Sequence, residues 1–131
     1  MADDGFININ LDDVDDGSEP IPAGTQLCRI KSAERKHKDG SEYPYIEVRL
    51  NPLEVEDKFL RRVLFLTLSF HPNAQWNMKR FMKAAQIDHD AKGFHLEAFP
   101  GREVYVTVKH SADRNDPTAI RAEVTPPYSK A

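Results

Sequence analysis

Tyr45-Ile46-Glu47-Val48-Arg49-Leu50 is the stretch on which the fold turns. Ile46, Val48 and Leu50 share one parity, Tyr45, Glu47 and Arg49 the other. Side chains alternate across a strand with period two, so this pattern predicts a β-strand with one buried and one wet face. Glu103 to His110 repeats it, with Val104, Val106 and Val108 inward and Tyr105, Thr107 and Lys109 outward. Ahead of the first stretch, Pro20-Ile21-Pro22-Ala23-Gly24 punctuates the chain, and Thr25 to about Arg35 reads as a strand. Lys36-His37-Lys38-Asp39-Gly40-Ser41 follows as a charged turn whose Asp-Gly pair suits a tight reversal.

Pro52 ends the cleanest part of the second strand, and a polar link leads to Arg61–Phe70. Here Val63, Phe65 and Thr67 alternate with Leu64, Leu66 and Leu68, so both faces are apolar. Length and residue types predict a strand, but periodicity cannot orient it. Phe65 and Phe70 are read as core fillers, because a small barrel needs large apolar side chains. His71-Pro72-Asn73 breaks the chain and offers Asn73 as the cap of a helix from Ala74 to about Gln86. Ala74, Met78, Phe81, Met82 and Ala85 form its apolar stripe, with Trp76 nearly opposite, beside Lys79, Arg80 and Lys83. A start one or two residues later would let Trp76 cap the bottom of the barrel, and packing is the role expected of it. Ser111–Pro117 is a polar loop containing Arg114, and Ala119–Val124 supplies a last strand with Ile120, Ala122 and Val124 on one face. The order β-β-β-α-β-β predicts a mainly β fold, a five-stranded OB-fold-like barrel with one helix between strands 3 and 4. An open α+β sheet is the alternative, since closure leaves no trace in sequence.

The 131 residues suit one domain. Apolar runs fall far short of the roughly 20 residues that span a bilayer, and the acidic opening Met1-Ala2-Asp3-Asp4 lacks the basic region of a secretory signal. No membrane partner and a cytoplasmic location are therefore expected. Cys28, alone of its kind, reads as a buried small hydrophobe. The net charge of -3 is unevenly spread: residues 1–19 hold seven acids and no Lys or Arg, leaving 18 bases against 14 acids, a net of +4, for residues 20–131. Residues 1–19 read as an acidic, flexible arm with a short β or docking segment at Phe6–Leu11, residues 20–127 as the domain, and residues 128–131 as a short loose C-terminus. A basic body is the distribution that suits a partner carrying phosphates.

Enzyme chemistry finds little support. The sequence has no Gly-rich phosphate loop, nucleophile elbow, CxxC or HExxH arrangement. His37, His71, His89, His95 and His110 are dispersed, and the spacing of Asp12, Asp13, Asp15 and Asp16 does not meet the calcium-loop pattern. No catalytic residue, metal site or cofactor is expected. Single-stranded nucleic acid, by contrast, asks for cations along a backbone path and flat side chains that stack on bases. Both classes meet on predicted outward faces: Arg49 follows Tyr45, Lys109 follows Tyr105, and Arg29 and Lys31 share one parity of the first strand. The first hairpin adds Arg35, Lys36, His37 and Lys38 next to Tyr43, while Arg61 and Arg62 precede the third strand.

Five segments together, "GFININLDDVDD", "PIPAGTQLCRIKSAERKHKDG", "YPYIEVRL", "FHPNAQWNMKRFMKAAQI" and "GREVYVTVKH", give the chain a resemblance over roughly residues 5–125 to the phage-encoded single-stranded DNA-binding proteins of OB-fold type. The resemblance implies a non-catalytic protein in the cytoplasm of the infected bacterium that coats single-stranded DNA during replication or recombination, with little sequence preference. Replication or recombination proteins would be further partners. Self-association would suit coating, though no coiled-coil pattern supports it. Carried onto this chain, the resemblance points to Arg29, Lys31, the 35–38 hairpin, Tyr45, Arg49, Tyr105 and Lys109 as the groove. Many such proteins end in an acidic segment, whereas this chain ends Pro126-Pro127-Tyr128-Ser129-Lys130-Ala131. The acidic N-terminal arm is expected to take that competing role. A protein–protein adaptor of the same fold and a single-stranded RNA-binding module are the alternative readings.

Overall fold

The computed structural model describes residues 5, 7–9, 19–90, 92–112 and 120–131. Most of the acidic arm, including Phe6, Leu11 and its Asp cluster, lies outside the described residues, as does Arg114. The elements are β1 (Gly24–Lys36), β2 (Tyr45–Pro52), β3 (Leu64–Ser69), α1 (Gln75–Ala84), β4 (Glu103–Ala112) and β5 (Ile120–Lys130). Short 3-10 turns at Asp57–Phe59, Pro72–Ala74 and Leu96–Ala98 lie in the links. The strands form one sheet in the order β3-β2-β1-β4-β5, each neighbouring pair antiparallel. With the helix between β3 and β4, this is the topology of the OB-fold. The outermost strands, β3 and β5, approach each other, and α1 packs on both. No described helix is long and apolar enough to cross a membrane.

The inner face of the sheet is the one the clean alternation marks: Ile46, Val48 and Leu50 of β2 and Val104, Val106 and Val108 of β4 are all buried. The ambiguous strand takes its orientation from its neighbour. Leu64, Leu66 and Leu68 pair with Leu50, Val48 and Ile46, so the leucines share the buried side. Phe65 is thereby turned out opposite Arg49 and is 57% exposed, which overturns its expected place in the core. Phe70, one residue beyond the strand, is half-buried at the rim.

The helix begins later than the cap rule predicts. Pro72–Ala74 forms a 3-10 turn whose cap is His71, its Nδ1 accepting from the Asn73 N–H at 3.0 Å, and α1 starts at Gln75 with no side-chain cap. At the far end Gln86 takes a left-handed φ of 59°. The N–H groups of Gln86 and Ile87 bond back to the Lys83 and Met82 carbonyls, so the helix closes in a Schellman pattern two residues short of the expected stop. Met78, Phe81, Met82 and Ala85 are buried as the stripe requires. Trp76 is not: it stays 51% exposed with the Arg80 guanidinium 5.0 Å from its ring, which overturns the packing role expected of it.

Two irregularities change which residues face outward. In β1, Ile30 pairs with Leu50 but Ser32 pairs with Arg49, so Lys31 is the extra residue of a bulge and parity reverses beyond it. In β4–β5, Tyr105 pairs with Ser129 and Thr107 with Thr125, which leaves Pro126, Pro127 and Tyr128 bulged opposite Val106. Proline lacks a ladder donor and is tolerated at such a bulge. The strand therefore continues to Lys130 rather than ending at Val124 with a loose tail from residue 128, and Tyr128 docks on the helix, edge-on to Phe81 and donating to Asn77 Oδ1 at 2.7 Å.

Candidate nucleic-acid interface

The outer faces of β2 and β3 carry Tyr45, Glu47 and Arg49 against Ser69, Thr67 and Phe65. Arg49 lies over the Phe65 ring at 5.7 Å, a cation on an exposed aromatic face, while its Nε donates to Glu47 Oε1 at 3.1 Å. From β1, Lys36 stands opposite Tyr45 and donates to Glu47 Oε2 at 3.0 Å. The hydrogen bond from Lys36 holds the Glu47 carboxyl below its ordinary range, with Arg49 acting in the same sense against some desolvation. One carboxylate thus orients two cations beside Tyr45 and Phe65.

The β1–β2 link borders this face. Its Asp-Gly turn forms, Ser41 N–H donating to the Lys38 carbonyl at 3.0 Å with Gly40 at a φ of 81°, but inside a link spanning residues 37–44 rather than as a tight two-residue reversal. Lys38 is exposed at that turn, and Tyr43 sits edge-on to His71 at 4.9 Å. Arg35 follows the reversed parity: it pairs with Ile46, on the inward side, and its guanidinium lies 5.6 Å from the Phe70 ring at the rim.

Six of the expected binding residues, Arg35, Lys36, Lys38, Tyr43, Tyr45 and Arg49, therefore gather on or beside the β2–β3 face. The others are placed elsewhere. Lys31 occupies the bulge and does not share the parity of Arg29, which is paired with Glu103 at 2.8 Å. Tyr105 lies on β4 between Leu27 and Ser129, and Lys109 stands opposite Glu123. Arg61 is exposed ahead of β3. Arg62 lies 5.4 Å from the Phe59 ring and donates to the Glu19 carbonyl, and Lys58 binds the Glu19 carboxylate at 2.6 Å, so this corner holds the segment leading into the domain.

Sequence reasoning missed three participants. Phe65 was hidden by the two-faced pattern of β3, and only the register with β2 reveals it. Glu47 is an acid on a surface expected to be basic, and only its hydrogen bonds to Lys36 and Arg49 give it a place there. Arg121 lies with Val63, Phe65, Ala122, Glu123 and Val124 around a cavity of about 470 Å³ between β3 and β5. Residues 65 and 121 lie on opposite edge strands of the sheet, and only the approach of β3 to β5 brings them together, which no local pattern in the sequence marks. Among the described residues, no three His, Cys, Asp or Glu side chains gather as a metal site would require. No protein-family model matches this sequence, and no curated protein matches it.

Proposed function

We propose that this domain binds single-stranded DNA stoichiometrically and without sequence preference, coating it during phage replication or recombination as the resemblance implies, with no catalytic step. The observation that carries the reading is the exposed Phe65 ring, flanked by Arg49 and facing the same side as Tyr45 and Lys36, on the β2–β3 surface that OB-type topology offers to oligonucleotides. Bases stack on Phe65 and Tyr45, while phosphates take up Arg49, Lys36 and the Lys38 turn. Arg29, Lys31, Tyr105 and Lys109 lie further round the sheet and extend the path only for a strand that wraps it. In this reading β3 and β5 close the barrel, and the cavity beside Phe65 and Arg121 is the seam.

The test is a fluorescence-anisotropy titration of a labelled, mixed-sequence DNA of about 30 nucleotides, with the duplex alongside, at two salt concentrations. The single strand should bind more tightly than the duplex, whose bases are hidden, and affinity should fall with salt as counterions are exchanged. A folded, monodisperse protein that retains neither form at low salt refutes the proposal. A second reading, a protein adaptor working by strand addition, is favoured by Ile7 and Ile9, which alternate with Asn8 and are 77% and 64% exposed. Salt-insensitive association with protein and no retention of DNA would select it.

A further inference from the structure

On the helical side of the rim lies a groove of about 920 Å³, walled by Phe70, Trp76, Met82 and Phe94, with Lys79 and Lys92 on its border. We infer that a single strand leaving the β2–β3 face crosses the rim at Tyr43 and His71 and lays further bases in this groove, with Trp76 as their stacking platform. The inference rests on the proposed binding of single-stranded DNA and extends its path to the helix.

Continuity is the first support. The Phe70 N–H donates to the Pro44 carbonyl at 3.1 Å, and Gln75 Nε2 donates to the Phe70 carbonyl at 2.9 Å. The β1–β2 link, the end of β3 and the start of α1 are thereby stitched into one surface, and Phe70 belongs both to the rim and to the groove. Charge is the second support. On the β2–β3 face Lys36 and Arg49 are engaged by Glu47. Around the groove Arg35, Lys79, Arg80 and Lys92 form no ion pair among the described residues. Asp90, the acid lining it, is turned to its own loop, Oδ1 accepting from the Lys92 and Gly93 N–H groups at 2.7 and 3.2 Å. Exposed aromatic surface bordered by available cations is the chemistry of a nucleic-acid strand, phosphates outside and bases in. A peptide would find the same hydrophobic walls, but two lysines, Lys79 and Lys92, against the one acid of the lining, Asp90.

Trp76 is the single tryptophan of the chain, so its fluorescence reads this groove directly. The experiment titrates the full-length protein with labelled oligothymidylates of about 5 and about 16 nucleotides, following anisotropy and tryptophan emission together. The longer strand should quench Trp76, and Trp76→Ala should weaken it about tenfold while leaving the short strand nearly unchanged. Trp76→Phe should retain most of the affinity. Binding of both strands with undisturbed emission, quenching without loss of affinity in Trp76→Ala, or equal losses for both lengths would overturn the inference and leave the proposed function standing. Failure of either strand to bind would remove the reading on which it rests. If Trp76→Ala does not fold, emission of the unaltered protein against the two lengths decides the matter.

Discussion

Replacing Phe65 by alanine separates a binding residue from a core residue. At 57% exposed, Phe65 has withdrawn less than half its surface from water. Full burial of a Phe is worth about 1.5–3 kcal/mol, so truncation here should cost about 1 kcal/mol, a drop in Tm of roughly 3–6 °C. The same change at Phe81, fully buried, should cost about 3–5 kcal/mol and threaten the fold. Binding should respond in the opposite order. If a base stacks on Phe65, about 1–3 kcal/mol is lost, which raises Kd roughly 5- to 150-fold. The dependence of affinity on salt should hold its slope, since no phosphate contact is removed. Anisotropy titration at several salt concentrations, with thermal unfolding of the same preparations, measures all three quantities. A Phe65→Ala protein that melts within a few degrees of the parent and binds single-stranded DNA within about twofold of it would refute the stacking role.

Glu47→Gln frees Lys36 and Arg49 and removes an anion from the path of phosphates; at about 6 Å in a water-like medium this is worth about 0.5–1 kcal/mol, so affinity should rise roughly two- to fivefold at low salt, and a weakening would show that Glu47 positions the two cations productively. Burial pushes the Cys28 thiol up from 9.0 to about 12 and the Tyr128 phenol up from 10.0 to about 12. Each keeps its proton in the folded state where the unfolded chain releases it, so their contribution is complete below pH 9, declines as the pH climbs toward 12, and should lower the urea midpoint over that window, less so in a Cys28→Ala, Tyr128→Phe protein. Deleting residues 1–19 removes seven acids and no Lys or Arg, and should tighten DNA binding at low salt; unchanged affinity there would exclude a competing arm.

The parts of the fold legible in the sequence are those where local pattern and tertiary burial agree. Ile46, Val48 and Leu50 and the three alternating valines of β4 mark their own buried side, and the helical stripe of Met78, Phe81 and Met82 marks its own. What stayed hidden depends on partners distant in sequence. Phe65 and Leu66 are equally apolar, and only pairing with β2 chooses between them. The Lys31 bulge carries no glycine or proline to announce it, yet it reverses the parity of everything after it and sets Arg35, expected in the hairpin beside Tyr43, opposite Ile46 and over Phe70. Pro126-Pro127 reads locally as an end, but Tyr128 finds Phe81 and Asn77 and draws the strand onward. The candidate site suffered most because it lies on surfaces, where alternation says that a residue faces out but not which strand lies beside it.

The distribution of ion pairs refines what a positively charged body means for this chain. A net of +4 beyond residue 19 already counts the acids there, but it does not say which of the 18 bases are engaged: Arg29 is paired with Glu103, Lys36 and Arg49 with Glu47, and Lys58 with Glu19, an acid outside that stretch. For a phosphate to reach Lys36 or Arg49 it must compete with a carboxylate already in place, so electrostatic gain on the β2–β3 face is a difference between two partners rather than a new attraction. These pairs are partly buried at Glu47 but leave the Lys36 and Arg49 heads in reach of solvent; pairs near the surface are worth only about 0–1 kcal/mol, so the exchange is easy, but the gain is correspondingly small. If the domain binds a strand as proposed, stacking on Phe65 must then carry much of the affinity at that face, while the cations at the rim and groove that form no ion pair among the described residues supply the salt-dependent share. The two contributions should therefore separate in space, with substitutions at Phe65 lowering affinity at every salt concentration and those at Lys79 and Lys92 flattening its dependence on salt.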